Sequence, residues 1–61
     1  MTTFYILYDP TEGTFIRAGR YCMRTFSLNA AKHFTSEWSA KQFCDRNDCG
    51  DHMIIKKIQR Y

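Results

Sequence analysis

The sequence predicts an α+β fold: a small antiparallel β-sheet of three to four strands, in ββ(β)αβ order, with one helix packed across it. Three observations carry this expectation. Residues 4 to 18 hold two β-rich runs around the turn Asp9-Pro10-Thr11-Glu12-Gly13. Thr35 to Asn47 combines hydroxyl caps with an Ala40/Phe43/Cys44 stripe at helical spacing, and Met53 to Gln59 is an isoleucine-rich strand.

Each element follows from its residues. Phe4-Tyr5-Ile6-Leu7-Tyr8 is β-rich and carries apolar groups on both faces. In the turn after it, Asp bonds the backbone, Pro presets φ and Gly permits a positive φ. Thr14 to Ala18 completes a hairpin, with a loop of about five residues. Gly19-Arg20 forms a second turn, and Tyr21 to Phe26 supplies a third strand with Arg24 directed away from its aromatic neighbours. Ser27 to Ala31 fits either one helical turn or a loop, and Lys32-His33-Phe34 fits a brief extended piece. The helix is expected over 37 to 47. Ser36 or Thr35 serves as N-cap, Glu37 suits the positive end of the helix dipole, and Gly50 or Asn47 takes the left-handed conformation at the C-terminal end. An isolated helix of this length is marginal in water, so it needs the sheet beneath it.

The chain has 61 residues and reads as a single domain, 1–61. A chain this short buries only about 60% of its unfolded surface. Enclosing a substrate is hard with so little material, and a non-enzymatic protein without a cofactor is expected. Aromatic residues make up 16% of the chain, which disfavours disorder. The net charge of +3 is mild for a dedicated nucleic-acid-binding domain. No apolar run is long enough to span a membrane. Met1-Thr2-Thr3-Phe4 begins no basic-then-apolar leader, so a cytoplasmic location is expected. The odd cysteine count (Cys22, Cys44 and Cys49) suits reduced thiols.

The run G-T-F-I-R-A-G-R-Y, then R-T-F-S, then A-K-H-F-T-S-x-x-S-A-K-Q-F resembles small accessory proteins encoded by bacteriophages and cryptic prophages of enteric bacteria. Gly13, Thr14 and Phe15 match the hairpin of that pattern, and Phe34, Thr35, Ala40 and Phe43 match its helical part. The likeness covers about two-thirds of the chain and is carried by features that any short strand–turn–helix selects. It implies a phage or prophage origin rather than a mechanism. Trp38 and the cysteines depart from the pattern and take no role from it.

Candidate chemistry is sparse. Cys44-x4-Cys49-x2-His52, with Cys22 or His33 as a fourth ligand, offers zinc-binding residue types. The spacing matches no common zinc motif, and Cys44 falls on the stripe expected to be buried, where a thiol packs without metal. Packing cysteines and no metal site are therefore expected. Asp45-x-Asn47-x-Cys49-Gly50 fails as a calcium loop, because Cys49 replaces an oxygen ligand and Lys56 stands where a bidentate glutamate belongs. Cys49, Asp51 and His52 are neighbours in a turn, which rarely converge into a nucleophilic site.

Two surfaces remain. At 100° per residue Trp38 lies about 140° from Phe43 and about 120° from Cys44, off their stripe. It either folds onto Phe34 or the Ser27–Ala31 segment, or is left for a partner. Trp38, Lys41 and Gln42 are the candidate protein-binding residues, with a host or phage protein as partner. A strand edge or self-association into a homodimer could extend that surface. The alternative is a nucleic-acid-binding module using Arg17, Arg20, Tyr21 and Arg24, arginine interleaved with an aromatic ring. The bland counterpart is a solvated sheet edge that discourages edge-to-edge pairing.

Overall fold

Eight residues, Thr2–Asp9, buried or half-buried from Phe4 onward, form the strand around which the rest is arranged. The computed structural model describes residues 2–19, 21–50 and 52–60. Strand β1 (Thr2–Asp9) is followed by β2 (Thr14–Ile16), β3 (Arg24–Thr25), helix α1 (Glu37–Asn47) and β4 (Ile54–Arg60). The four-stranded sheet has the order β3-β2-β1-β4, and every pairing is antiparallel. This is the expected α+β architecture.

Alternation divides β1 between two cores. Leu7 joins Ile16, Phe34, Ala40 and Cys49 under the helix, with Tyr5, Phe43 and Ile55 packed against them. Phe4 and Ile6 join Ala31 on the opposite face, with Phe15, Leu28 and Ile58 around them. Ile6, Leu7 and Ile16 are fully buried, which contributes roughly 1.5–3 kcal/mol for each side chain. Two cores on one strand explain why its expected run was apolar on both faces.

The strands after the hairpin are shorter than the sequence suggested. β2 ends at Ile16, and β3 is confined to Arg24–Thr25. The cause is a wedge. Residues 30 to 34 enter beside β2: Lys32 N donates to Ile16 O at 2.8 Å and Ala18 N to Ala30 O at 3.0 Å. Phe34 and Tyr5 then exchange backbone bonds of 2.8 and 2.9 Å. The segment left open between helix and loop thus splits in two. Ser27 to Ala31 is a turn, closed by bonds to Ser27 O and Leu28 O, and the extended piece borders β1 at Phe34.

The helix spans the expected residues. Ser36 is its N-cap and accepts from Ser39 N at 3.1 Å. Its C-terminal end corrects the expectation in part: Asp48, rather than Asn47 or Gly50, is the capping residue in αL, at φ 52°, while Gly50 does take a positive φ beyond it. Asn47 is instead retained in the last turn, where its side-chain amide donates to Phe43 O at 2.9 Å. Asp tolerates this conformation because its short polar side chain costs little there. Gly50 follows at φ 112°, and a Cβ on it would stand 2.8 Å from the His52 ring.

A second correction concerns the thiols. Cys22 and Cys49 form a disulfide, Cα to Cα 5.9 Å, rather than remaining reduced. The β2–β3 connection is laid against the segment after α1, and an odd cysteine count does not prevent one bond. The bond closes 27 residues of sequence separation, for which loop entropy predicts a contribution of about 3.5 kcal/mol. Urea unfolding with and without a reductant should show a loss of that order. Fewer thiols should titrate in the denatured protein before reduction than after it.

Candidate functional site

Two features stand out: a buried carboxylate at the end of β1 and an open groove on α1. Asp9 is 2% exposed although it borders a turn. One oxygen, Oδ1, accepts from the backbone N–H of Thr11 at 2.9 Å and of Glu12 at 3.3 Å. The other, Oδ2, lies 3.0 Å from Arg24 Nη1 and 3.0 Å from His52 Nε2. The same guanidinium nitrogen contacts Met53 Sδ at 3.4 Å. Burial pushes the Asp9 carboxyl up. The His52 hydrogen bond, the N–H groups of Glu12 and Thr11, and the imidazole's charge outweigh burial, so its pKa lies below the ordinary carboxylate value.

This cluster is structural in its geometry. Both carboxylate oxygens are engaged, and the residues that engage them come from the hairpin turn, β3 and the segment before β4. Cys49, the candidate nucleophile nearest the imidazole in sequence, is committed to Cys22. The zinc candidates are likewise separated in role, since Cys49 is oxidised and His52 faces Asp9. Cys44 Sγ lies 3.5 Å from Gly50 O. Among the described residues no group of three or more His, Cys, Asp and Glu is placed to hold a metal ion. His33 stacks on Phe4, with ring centroids 3.9 Å apart.

The groove lies along one flank of α1. Trp38, Gln42 and Arg46 recur at helical spacing, and with Ser39, Phe43, Asn47 and Phe34 they line an open space of about 400 Å³. Trp38 is 69% exposed, so it is not packed into the core as a buried aromatic would be. The Phe34 and Phe43 rings meet at 5.5 Å, and Lys32 Nζ sits 4.9 Å from the centroid of Phe43. An ammonium over aromatic faces thus borders the groove. Lys41 belongs to the other flank, a smaller space of about 270 Å³ with Cys44, Asp45, Gly50, Met53 and Ile55. Of the expected protein-binding residues, the fold brings Trp38 and Gln42 together and sets Lys41 apart.

The arginine set is also divided. Arg17 and Tyr21 are exposed, Arg20 lies outside the described residues, and Arg24 is held by Asp9 with its side chain only 30% exposed. The sequence showed Asp9 as a turn residue that bonds the backbone, which it is. Nothing in the local pattern showed that it is buried, because its partners Arg24 and His52 are 15 and 43 residues away.

Among the described residues no helix is long and apolar enough to cross a membrane. Comparisons with protein-family models, curated proteins and solved structures found no match.

The lowered Asp9 pKa has a definite sign in stability. Its contribution is fully present above the unfolded carboxylate value of about 3.9, and is lost as pH falls through the lower folded value. Asp9→Asn should therefore lower the urea midpoint at neutral pH and flatten the acid limb of midpoint against pH. An acid limb of the same height in both proteins would contradict the assignment.

Proposed function

We propose that this chain is a non-enzymatic accessory protein of the phage or prophage type, acting by binding a host or phage protein through the groove beside Trp38. The observation that carries the reading is the exposed indole, which lines one groove together with the Phe34 and Phe43 rings. Tryptophan dominates binding energy when a partner desolvates it. Gln42, Ser39 and Asn47 supply polar groups around that anchor, and Arg46 and Lys32 supply positive charge. The resemblance in the hairpin and helix supports the phage or prophage origin. The nucleic-acid reading through Arg17, Arg20, Tyr21 and Arg24 has less support, since the guanidinium of Arg24 is engaged within the fold. The proposed setting is the cytoplasm of a host cell. The Cys22–Cys49 bond weighs against that setting, because cytosolic thiols are kept reduced.

The test is capture of host proteins on the tagged chain after nuclease treatment, followed by affinity measurement with the captured protein. Trp38→Ala should preserve the fold and weaken binding about 30-fold or more, the effect of losing one dominant anchor. Lys41→Ala, on the other flank, should change it little. Unchanged affinity in a folded Trp38→Ala protein would remove the groove from the reading.

A further inference from the structure

The sheet face turned away from α1 has its own chemistry. Strand register aligns Thr25 with Phe15, Phe15 with Tyr8, and Tyr8 with Ile54, one row across all four strands. At sheet spacing this row runs about 14 Å. The 27–34 segment covers Phe4 and Ile6 farther along the face but leaves this row open. Tyr8 and Phe15 are half-buried and their rings meet at 5.4 Å, while Ile54 is 44% exposed.

Cations border the rings. Lys56, on the same face as Ile54, places Nζ 4.3 Å from the Tyr8 centroid. Arg60 lies over Phe4 at 5.3 Å and donates to Asn29 at 2.9 Å. Arg17, bridged to Ala31, continues the Phe15 side of β2. None of the described strand residues on this face is acidic. Glu12 stands in the hairpin turn, Glu37 and Asp45 are on the helix, and Asp48 caps it. Ring faces with positive charge beside them, and no carboxylate among the described strand residues of the face, suit a ligand that is both planar and polyanionic. A basic protein segment is repelled here, and a second copy would set Lys56 and Arg60 against their like.

We propose that this sheet face binds single-stranded polynucleotide, with bases stacking on Tyr8 and Phe15 and phosphates meeting Lys56, Arg60 and Arg17. The exposed Lys56–Tyr8 contact is weak enough to exchange for a phosphate. The site is distinct from the Trp38 groove, which lies on the opposite side of the sheet, and both could be occupied together.

Fluorescence anisotropy of the intact protein with labelled oligo-dT and oligo-U of about 12 nucleotides, a length within single-module footprints, tests this. Three phosphate contacts predict that log K falls against log salt with a slope of about −2. Lys56→Gln with Arg60→Gln should weaken binding about tenfold and flatten that slope. Tyr8→Leu should weaken binding about tenfold through lost stacking. The charge variants carry the test if Tyr8→Leu does not fold. Trp38→Ala should leave oligonucleotide affinity unchanged. The proposal is overturned if the folded protein binds neither oligomer at about 50 mM salt, or binds equally after the charge substitutions. It is also overturned if sedimentation shows a dimer that Tyr8→Leu dissociates and oligonucleotide does not.

Discussion

The buried carboxylate of Asp9 is the constraint on which the loop end of this domain depends. A charge removed from water must be paired and hydrogen-bonded or it destabilises the fold. Here the required donors come from three separate parts of the chain: the hairpin turn, the two-residue strand β3 and the segment preceding β4. β3 is too short to hold itself by ladder bonds alone. Arg24, reaching across β2 to Asp9, gives it a fixed place at the sheet edge. A buried ion pair adds little net stability compared with apolar packing, but removing one partner leaves the other stranded. Its value in so small a core is therefore positional: it selects one arrangement of the loops.

The disulfide acts on the same region by a different route. Cys22 lies two residues before Arg24, and Cys49 three before His52, so covalent and ionic ties join the same two segments. The doubling suits a helix with weak anchorage. Ala40 is the only described helical residue that is fully buried, while Phe43 and Cys44 are half-buried. A short amphipathic helix gains most of its stability from the face it buries. With a narrow face, this one is fixed in addition by the tied segment beyond its C-terminal end. Gly50 belongs to this arrangement: a side chain there would collide with the His52 ring that completes the carboxylate cluster.

The sequence was informative where local physics decides, and silent where distant residues meet. The hairpin, Ser36 as cap, the helix bounds and the position of Trp38 off the buried stripe all come from turn chemistry, capping and a 3.6-residue period. Asp48 as the left-handed residue was missed, because Asn47 and Gly50 have the stronger intrinsic preference and only the final turn's hydrogen bonds decide among neighbours. The Cys22–Cys49 bond, the burial of Asp9 and the capture of Arg24 all require contacts at long separation. No periodicity encodes them. For the same reason the arginine set looked coherent in the sequence and is divided in space; Lys41, by contrast, falls on the other flank from Gln42 as the helical period itself dictates.

The two faces of the sheet end with opposite characters, and the core explains why. β1 serves both sides, so its apolar residues are shared between two clusters and neither can be extensive. The helix covers one side, leaving its carboxylates and Trp38 outward. The 27–34 segment covers only part of the other, leaving the half-buried Tyr8 and Phe15 rings in view with Lys56 beside Tyr8. In a larger domain a second helix would close that face. Among the described residues of this 61-residue chain there is no second helix to do so, and the rings stay open to whatever ligand their charge and planarity suit. Surface of this kind is a consequence of size, and it is also where so small a protein can place a function without building a cleft.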